Sequence, residues 1–269
     1  MSDRLLSLAL PATITFERHR CGERLPAALL LPGSGPTDRD GNQPPLLTPN
    51  TLRDLAAALD RDRVVTLLFD KCGTGRTGLG AFARRPQDLD YPAFVRQAVA
   101  ARDHLRRRAE VAPNRVALAG HSEGAVTALV LAAHAPPRQR AAAHAAAPGV
   151  FIDRAIDVAV PDLRGGRAVD TTTMPAPLAA LFQLLVGPNR RFVTTDDAVF
   201  PPDVARRLPP MPVLLTCGEL DPQVPCHMTD QLASVVGHRV VLPAVGHAMV
   251  TADGTLSLVL TRELGALRW

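Results

Sequence analysis

Apolar and polar positions along this chain fall into two alternating rhythms. Short apolar runs, among them Val64–Phe69, Val116–Ala119 and Val213–Cys217, predict strands, and the continuous run Val64–Phe69 has the character of a parallel strand buried on both faces of a sheet. Between them lie stretches whose apolar residues recur at helical spacing. Thr51–Leu59 puts Leu52, Leu55, Ala56 and Leu59 on one face. Tyr91–Arg108 forms a long helix capped by Asp90 with Pro92 in its first turn, and residues 227–236 and Gly254–Leu267 predict two more. Residues 4–31 alternate apolar and polar character and read as opening antiparallel strands, among them Ala12–Phe16 and Ala27–Leu31. His238–Leu242 adds a short strand late in the chain, and Ala141–Ala146 suits either another short strand or, by its alanines, a helix. Strand alternating with helix predicts an α/β fold around a mostly parallel sheet.

The rhythm stops between Pro148 and Pro210, where Pro and Gly increase and Pro177–Val186 stands as an isolated apolar helix. A stretch of that length is seldom tolerated in a compact domain without a purpose. The expected organisation is therefore a core built from residues 1–147 and 211–269, with 148–210 inserted as a cap. Leu181, Phe182 and Leu185 of the isolated helix are expected to line a substrate pocket beneath it.

The chemistry-bearing residues sit just past the predicted strands. Val116–Ala119 runs into Gly120–His121–Ser122–Glu123–Gly124 and then into the helical run Ala125–Leu131. A strand, a sharp turn centred on Ser and a helix form a nucleophile elbow, in which the flanking glycines leave room for strained backbone. Leu29–Leu31 ends in the Gly-rich loop Pro32–Asn42, the expected place for an oxyanion hole. Its two backbone donors would be the amides of Ser34 and Glu123. Asp221 follows Val213–Cys217, where a carboxylate can orient a histidine, and His247 lies on a Gly-containing loop after the last strand. Ser122, Asp221 and His247 thus form a candidate triad: the hydroxyl needs a base, and the base needs an acid to fix its tautomer. Glu219 and Asp230 are the rival acids, Glu219 the nearer, while His121 is expected to face away from the role of Ser122. The turn Asp70–Arg76 matches no phosphate-loop pattern and is expected to pack beside the oxyanion loop.

Charge changes the picture little. The net charge is only +4, and Lys71 is the sole lysine among scattered arginines, with no aromatic-interleaved basic patch for nucleic acid. No stretch reads as a secretory leader or membrane span, so a cytoplasmic setting is expected. Cys21, Cys72, Cys217 and Cys226 lack metal-type spacing and are expected to be free thiols, with neither metal nor cofactor.

The order Ser…Asp…His after successive strands is that of the α/β-hydrolase superfamily, which the chain resembles over nearly its whole length. Gly33–Ser34–Gly35–Pro36–Thr37–Asp38–Arg39–Asp40–Gly41–Asn42, Asp70–Lys71…Gly73–Thr74–Gly75 and the Gly-His-Ser-Glu-Gly elbow resemble a bacterial serine esterase branch. That resemblance implies an eight-stranded, mostly parallel sheet with a cap, no metal, and hydrolysis of carboxylic esters. By position it matches Ser122 to the nucleophile, Asp221 to the acid, His247 to the base, and Ser34 and Glu123 to the oxyanion donors. One departure is Cys72, where this branch more often has an Arg that would pair with an acid of the oxyanion loop. The departure bears on loop geometry and not on the triad. The expected activity is cleavage of a small-molecule ester or thioester through an acyl-Ser122 intermediate. An acyltransferase or cyclase would use the same residues, and a catalytically silent binding protein could share the scaffold.

Overall fold

Strand β2 (Leu25–Leu31) is buried at every position and divides the core into two faces. Leu25, Ala27, Leu29 and Leu31 point to one side and Ala28 and Leu30 to the other, as the period of two demands. This computed structural model describes residues 12–15, 23–45, 47–134, 143–146, 201–222, 224–237 and 239–267. Within them the strands are β1 (Ala12–Thr15), β2, β3 (Val65–Phe69), β4 (Val111–Gly120), β5 (Ala143–Ala146), β6 (Val213–Gly218) and β7 (Arg239–Leu242). They form one sheet in the order β1-β3-β2-β4-β5-β6-β7.

The first pair, β1 with β3, is antiparallel, and every other pairing is parallel. The expectation of an antiparallel opening therefore holds for β1 and fails for β2. The physical reason is the connection: between β2 and β3 the chain crosses over through α1 (Thr51–Arg61), and a crossover returns the next strand parallel. Seven strands are described; an eighth is not among the described residues.

Helices cover both faces. On one, Tyr91, Phe94, Ala98, Ala101 and Leu105 of α2 (Tyr91–Arg106) and Ala128 and Leu131 of α3 (Glu123–Ala133) pack on the sheet. On the other, Leu52, Leu55 and Leu59 of α1 meet Leu260 and Leu264 of α6 (Leu258–Gly265). Each such leucine contributes roughly 1.5–3 kcal/mol by leaving water. The predicted helices are present, with α6 beginning later than Gly254 and the 227–236 stretch divided into a 3-10 turn (Cys226–Thr229) and α5 (Asp230–Val236).

Most of the expected cap, including Leu181, Phe182 and Leu185, lies outside the described residues. Near its end, α4 (Pro201–Ala205) packs Val204 and Ala205 against Leu129 of α3, Leu215 of β6 and Leu232 of α5. That short helix is built into the core.

The free-thiol expectation needs correction. Cys217 and Cys226 form a disulfide across a Cα–Cα distance of 5.3 Å, and Cys72 is a free thiol whose pKa burial pushes up. Sequence spacing did not reveal the pair because the chain must leave β6, round Asp221 and double back before the two sulfurs meet. Cys21 lies outside the described residues.

Thiol titration of the denatured protein is expected to gain two groups on reduction. The closed loop also predicts a stability loss of roughly 2–3 kcal/mol in the reduced protein, read as a lower unfolding midpoint. An unchanged thiol count would remove the disulfide.

Candidate active site

Ser122 stands where β4 ends and α3 begins, with φ 56° and ψ −126°. This is strained for a residue with a side chain, and it persists because the surrounding backbone leaves no alternative. A Cβ on Gly120 would lie 2.1 Å from the Gly124 carbonyl oxygen, and one on Gly124 would lie 2.2 Å from that of Leu31. The elbow glycines are therefore required by close backbone approach. Ser122 is buried, and the Glu123 amide next to it opens α3, where negative charge is favoured.

The candidate acid and base are joined. His247 Nδ1 donates to Asp221 Oδ2 at 2.8 Å, and the other oxygen of Asp221 accepts the Val224 amide at 2.9 Å. With Nδ1–H committed to the carboxylate, Nε2 is the ring nitrogen left to take a proton. Glu219, the nearer rival acid, accepts the Ala244 amide at 3.0 Å, and Asp230 pairs with Arg239 at 2.5 Å. Among the described residues, Ser122 Oγ has no hydrogen bond to His247, so the structure joins His247 to Asp221 and leaves the Ser122–His247 contact unmade. Apo serine sites often show this contact loose.

The loop carrying His247 is held from several directions. Ala244 and Met249, on either side of it, have φ of 56° and 59°, the same left-handed region as Ser122. Thr51, at the start of α1, donates its hydroxyl to the Ala248 carbonyl at 2.9 Å. His121 corrects the expectation that it faces away. Its ring lies 4.7 Å from that of His247, and its Nε2–H donates to the His247 carbonyl at 2.8 Å. Burial and the neighbouring His247 ring push its pKa down to about 4, against the opposing pull of the His247 carbonyl and Asp221. The imidazole therefore stays neutral. A protonated His121 would oppose the positive charge that a base at His247 must acquire.

The Gly-rich loop after β2, the expected oxyanion loop, lies against the elbow. A Cβ on Gly33 would sit 3.2 Å from His121 Nδ1 and 3.3 Å from Ser122 Cβ. The Ser34 carbonyl accepts from the Thr37 hydroxyl at 2.6 Å and from Gln43 Nε2 at 3.0 Å. Among the described residues neither the Ser34 nor the Glu123 amide donates to another backbone group. The Asp70–Arg76 turn packs beside this loop and does more than fill space. Arg39 pairs with Asp70 through its guanidinium and also donates its amide to Asp70 Oδ1 at 2.8 Å. Burial alone would raise the Asp70 pKa, but the bonds from Arg39 and the Arg76 amide outweigh it and hold the carboxyl below its ordinary value. The tie lost with an Arg at position 72 is thus made in the reverse sense, by an Arg of the loop on an acid of the turn.

Sequence reasoning passed over Lys71. Its ammonium is buried, donating to the Gly33 carbonyl at 2.6 Å and to Glu123 Oε1 at 2.8 Å, with the Phe94 ring centroid 5.1 Å away. A sole lysine directly after a buried strand was the available signal. A small cavity is lined by His121, Thr216, Asp221, His247 and Met249. No cluster of metal-ligating side chains occurs among the described residues.

The depressed His121 pKa makes a signed prediction. Between pH 6.5 and about 4 the unfolded chain takes up a proton that folded His121 refuses, so stability falls as pH falls through that window. Unfolding midpoints measured from pH 7 to 4 should drop less steeply in His121→Asn than in the parent. Parallel curves would contradict the neutral assignment.

Residues 28–255 match the alpha/beta hydrolase family. No curated protein sequence matches the chain. Among solved structures, it is similar to Est1E from Butyrivibrio proteoclasticus with ferulic acid bound, with a TM-score of 0.66 and 17% identity over 95% of this chain and 92% of that one. It is also similar to the propionate-bound esterase Est2 of Thermogutta terrifontis, with a TM-score of 0.58 and 17% identity over 94% and 86% of the two chains. An esterase of Pyrococcus furiosus gives a TM-score of 0.59 and 14% identity over 90% and 80%. With that match spanning most of its length, the strained serine elbow and the histidine–aspartate pair stand on a known framework, and the chain belongs to the alpha/beta hydrolase family.

Proposed function

We propose that the protein is a serine hydrolase that cleaves a carboxylic ester or thioester through an acyl-Ser122 intermediate. The observation that carries this reading is the 2.8 Å bond from His247 Nδ1 to a buried Asp221 carboxylate, in a chain whose Ser122 occupies a strained elbow. His247 Nε2 accepts the Ser122 proton as Oγ bonds to the substrate carbonyl carbon. The carbonyl oxygen becomes an oxyanion held by the Ser34 and Glu123 amides. Collapse of that species breaks the bond to the leaving alcohol or thiol, which takes the proton from His247. Water then repeats the sequence, giving its proton to His247 and releasing the acid and free Ser122. The esterase structures support the ester class by likeness of fold.

The substrate is a small molecule. Leu181, Phe182 and Leu185, which lie outside the described residues, are assigned to its apolar acyl chain from their helical spacing in the sequence alone. No helix among the described residues is long and apolar enough to cross a membrane. The disulfide weighs against the expected cytoplasmic setting, because such bonds persist in oxidising surroundings.

The triad is tested by substitution. Ser122→Ala and His247→Ala should each abolish fluorophosphonate labelling and ester turnover, because nucleophile and base act as a unit. Asp221→Asn should lose about 10⁴-fold in kcat through the wrong tautomer. A mild Asp221→Asn beside a crippling Glu219→Gln would move the acid.

Phe182→Ala tests the acyl side. Each methylene buried there contributes about 0.8 kcal/mol, part of it appearing as rate. The variant should therefore change the chain-length profile of kcat/KM across an ester series more than it lowers the unfolding midpoint. An early-melting variant with an unchanged profile would make Phe182 a core residue.

A further inference from the structure

Lys71 donates a hydrogen bond to the expected oxyanion loop, and the choice of atom matters. Its Nζ donates to the carbonyl oxygen of Gly33 at 2.6 Å. The Ser34 N–H belongs to the same peptide unit as that carbonyl. In a planar trans peptide the C=O and N–H share one plane and point in opposite directions, so fixing the oxygen aims the hydrogen. An ammonium on the oxygen also draws electron density from the unit and strengthens its N–H as a donor. The next carbonyl, that of Ser34, is held by Thr37 and Gln43, so the Ser34 amide sits between two anchored carbonyls.

The same ammonium donates to Glu123 Oε1 at 2.8 Å, and the backbone N–H of Glu123 is the second expected oxyanion donor. Both ends of this bridge are buried, with side-chain exposures of 5% for Lys71 and 4% for Glu123. Water therefore competes little for either bond.

We infer that Lys71 is a positioning residue of the oxyanion hole, a single cation that aims and polarises the Ser34 amide while tethering the residue that supplies the other donor. The inference rests on the acyl-Ser122 reading. Lys71 does not touch the substrate. Its effect reaches the reacting carbonyl through the Gly33–Ser34 peptide and through its own charge, and it grows as the carbonyl oxygen becomes negative. Its loss should therefore lower kcat and leave KM nearly unchanged.

Removing Lys71 alone strands a buried carboxylate, so the first test uses Lys71→Met combined with Glu123→Gln. The double variant should lose about 10²-fold in kcat, the scale of one oxyanion donor. Its KM should stay within about threefold, as expected when only a transition-state interaction is removed. A sharper readout compares a trifluoromethyl ketone, which forms a charged hemiketal with Ser122, with the matching methyl ketone, which does not. Affinity for the first should fall about 10²-fold, with the second nearly unchanged. Equal losses for both ketones, or no loss for either, overturn the inference.

The second test needs no variant to fold, because Lys71 is the only lysine in the chain and labelled lysine gives one side-chain resonance. In the parent protein that resonance should move when the trifluoromethyl ketone adduct forms and stay in place with the methyl ketone. A resonance indifferent to the adduct overturns the inference by itself. Fluorophosphonate labelling separates the two ideas. Failure to label Ser122 in the parent protein overturns both, whereas normal labelling with an unmoved resonance and an unchanged ketone ratio overturns the role of Lys71 alone.

Discussion

The buried contact among Lys71, Glu123 and the Gly33 carbonyl is the constraint on which the rest of the site depends. An exposed ion pair contributes about 0–1 kcal/mol, but breaking one that is fully buried costs about 3–5 kcal/mol, because the remaining charge is left without a partner. With side-chain exposures of 5% and 4%, this pair belongs to the second kind. It joins three segments far apart in sequence: the loop after β2, the turn after β3 and the first turn of the helix after β4. Those strands are neighbours in the sheet, so their C-terminal ends deliver the three segments to one place. The ion pair then fixes how the segments face one another.

The two residues flanking Ser122 divide the work of assembling the site. Glu123 reaches through Lys71 to the oxyanion loop, and His121 reaches to the His247 carbonyl. The strained serine thus carries on one side a tie to the loop after β2, the proposed oxyanion loop, and on the other a tie to His247, the proposed base. These two ties differ in their electrostatics. The Glu123 side uses a charged pair, whereas the His121 side uses an imidazole that burial keeps neutral, as the proposed base role of the neighbouring His247 requires. The strain at Ser122 persists because glycines 120 and 124 admit backbone so closely that the turn has no room to relax.

Much of this was legible in the sequence, and the limit has a physical form. Apolar runs ending in Gly-rich loops marked the sheet edge, so Ser122, Asp221 and His247 stand out as candidates from their positions after β4, β6 and β7, and the structure joins the last two. What pattern cannot convey is which side chain turns toward which. Glu219 and Asp221 follow the same strand, and only the backbone path sends one carboxylate to the Ala244 amide and the other to His247. The direction of His121, the pairing of Cys217 with Cys226 and the reach of Lys71 are long-range facts of the same type. The parallel pairing of β2 was missed because alternation reports burial and not strand direction.

The central claim is that Ser122 attacks within an oxyanion hole formed by the Ser34 and Glu123 amides and held in place by Lys71. The most direct measurement is a crystal structure of the fluorophosphonate adduct. The account predicts a covalent bond from Ser122 Oγ to phosphorus and a phosphoryl oxygen about 2.7–3.1 Å from both amides. It also predicts that Lys71 Nζ remains on the Gly33 carbonyl and Glu123. A phosphoryl oxygen turned away from either amide, or a Lys71 that has left the Gly33 carbonyl, would contradict it.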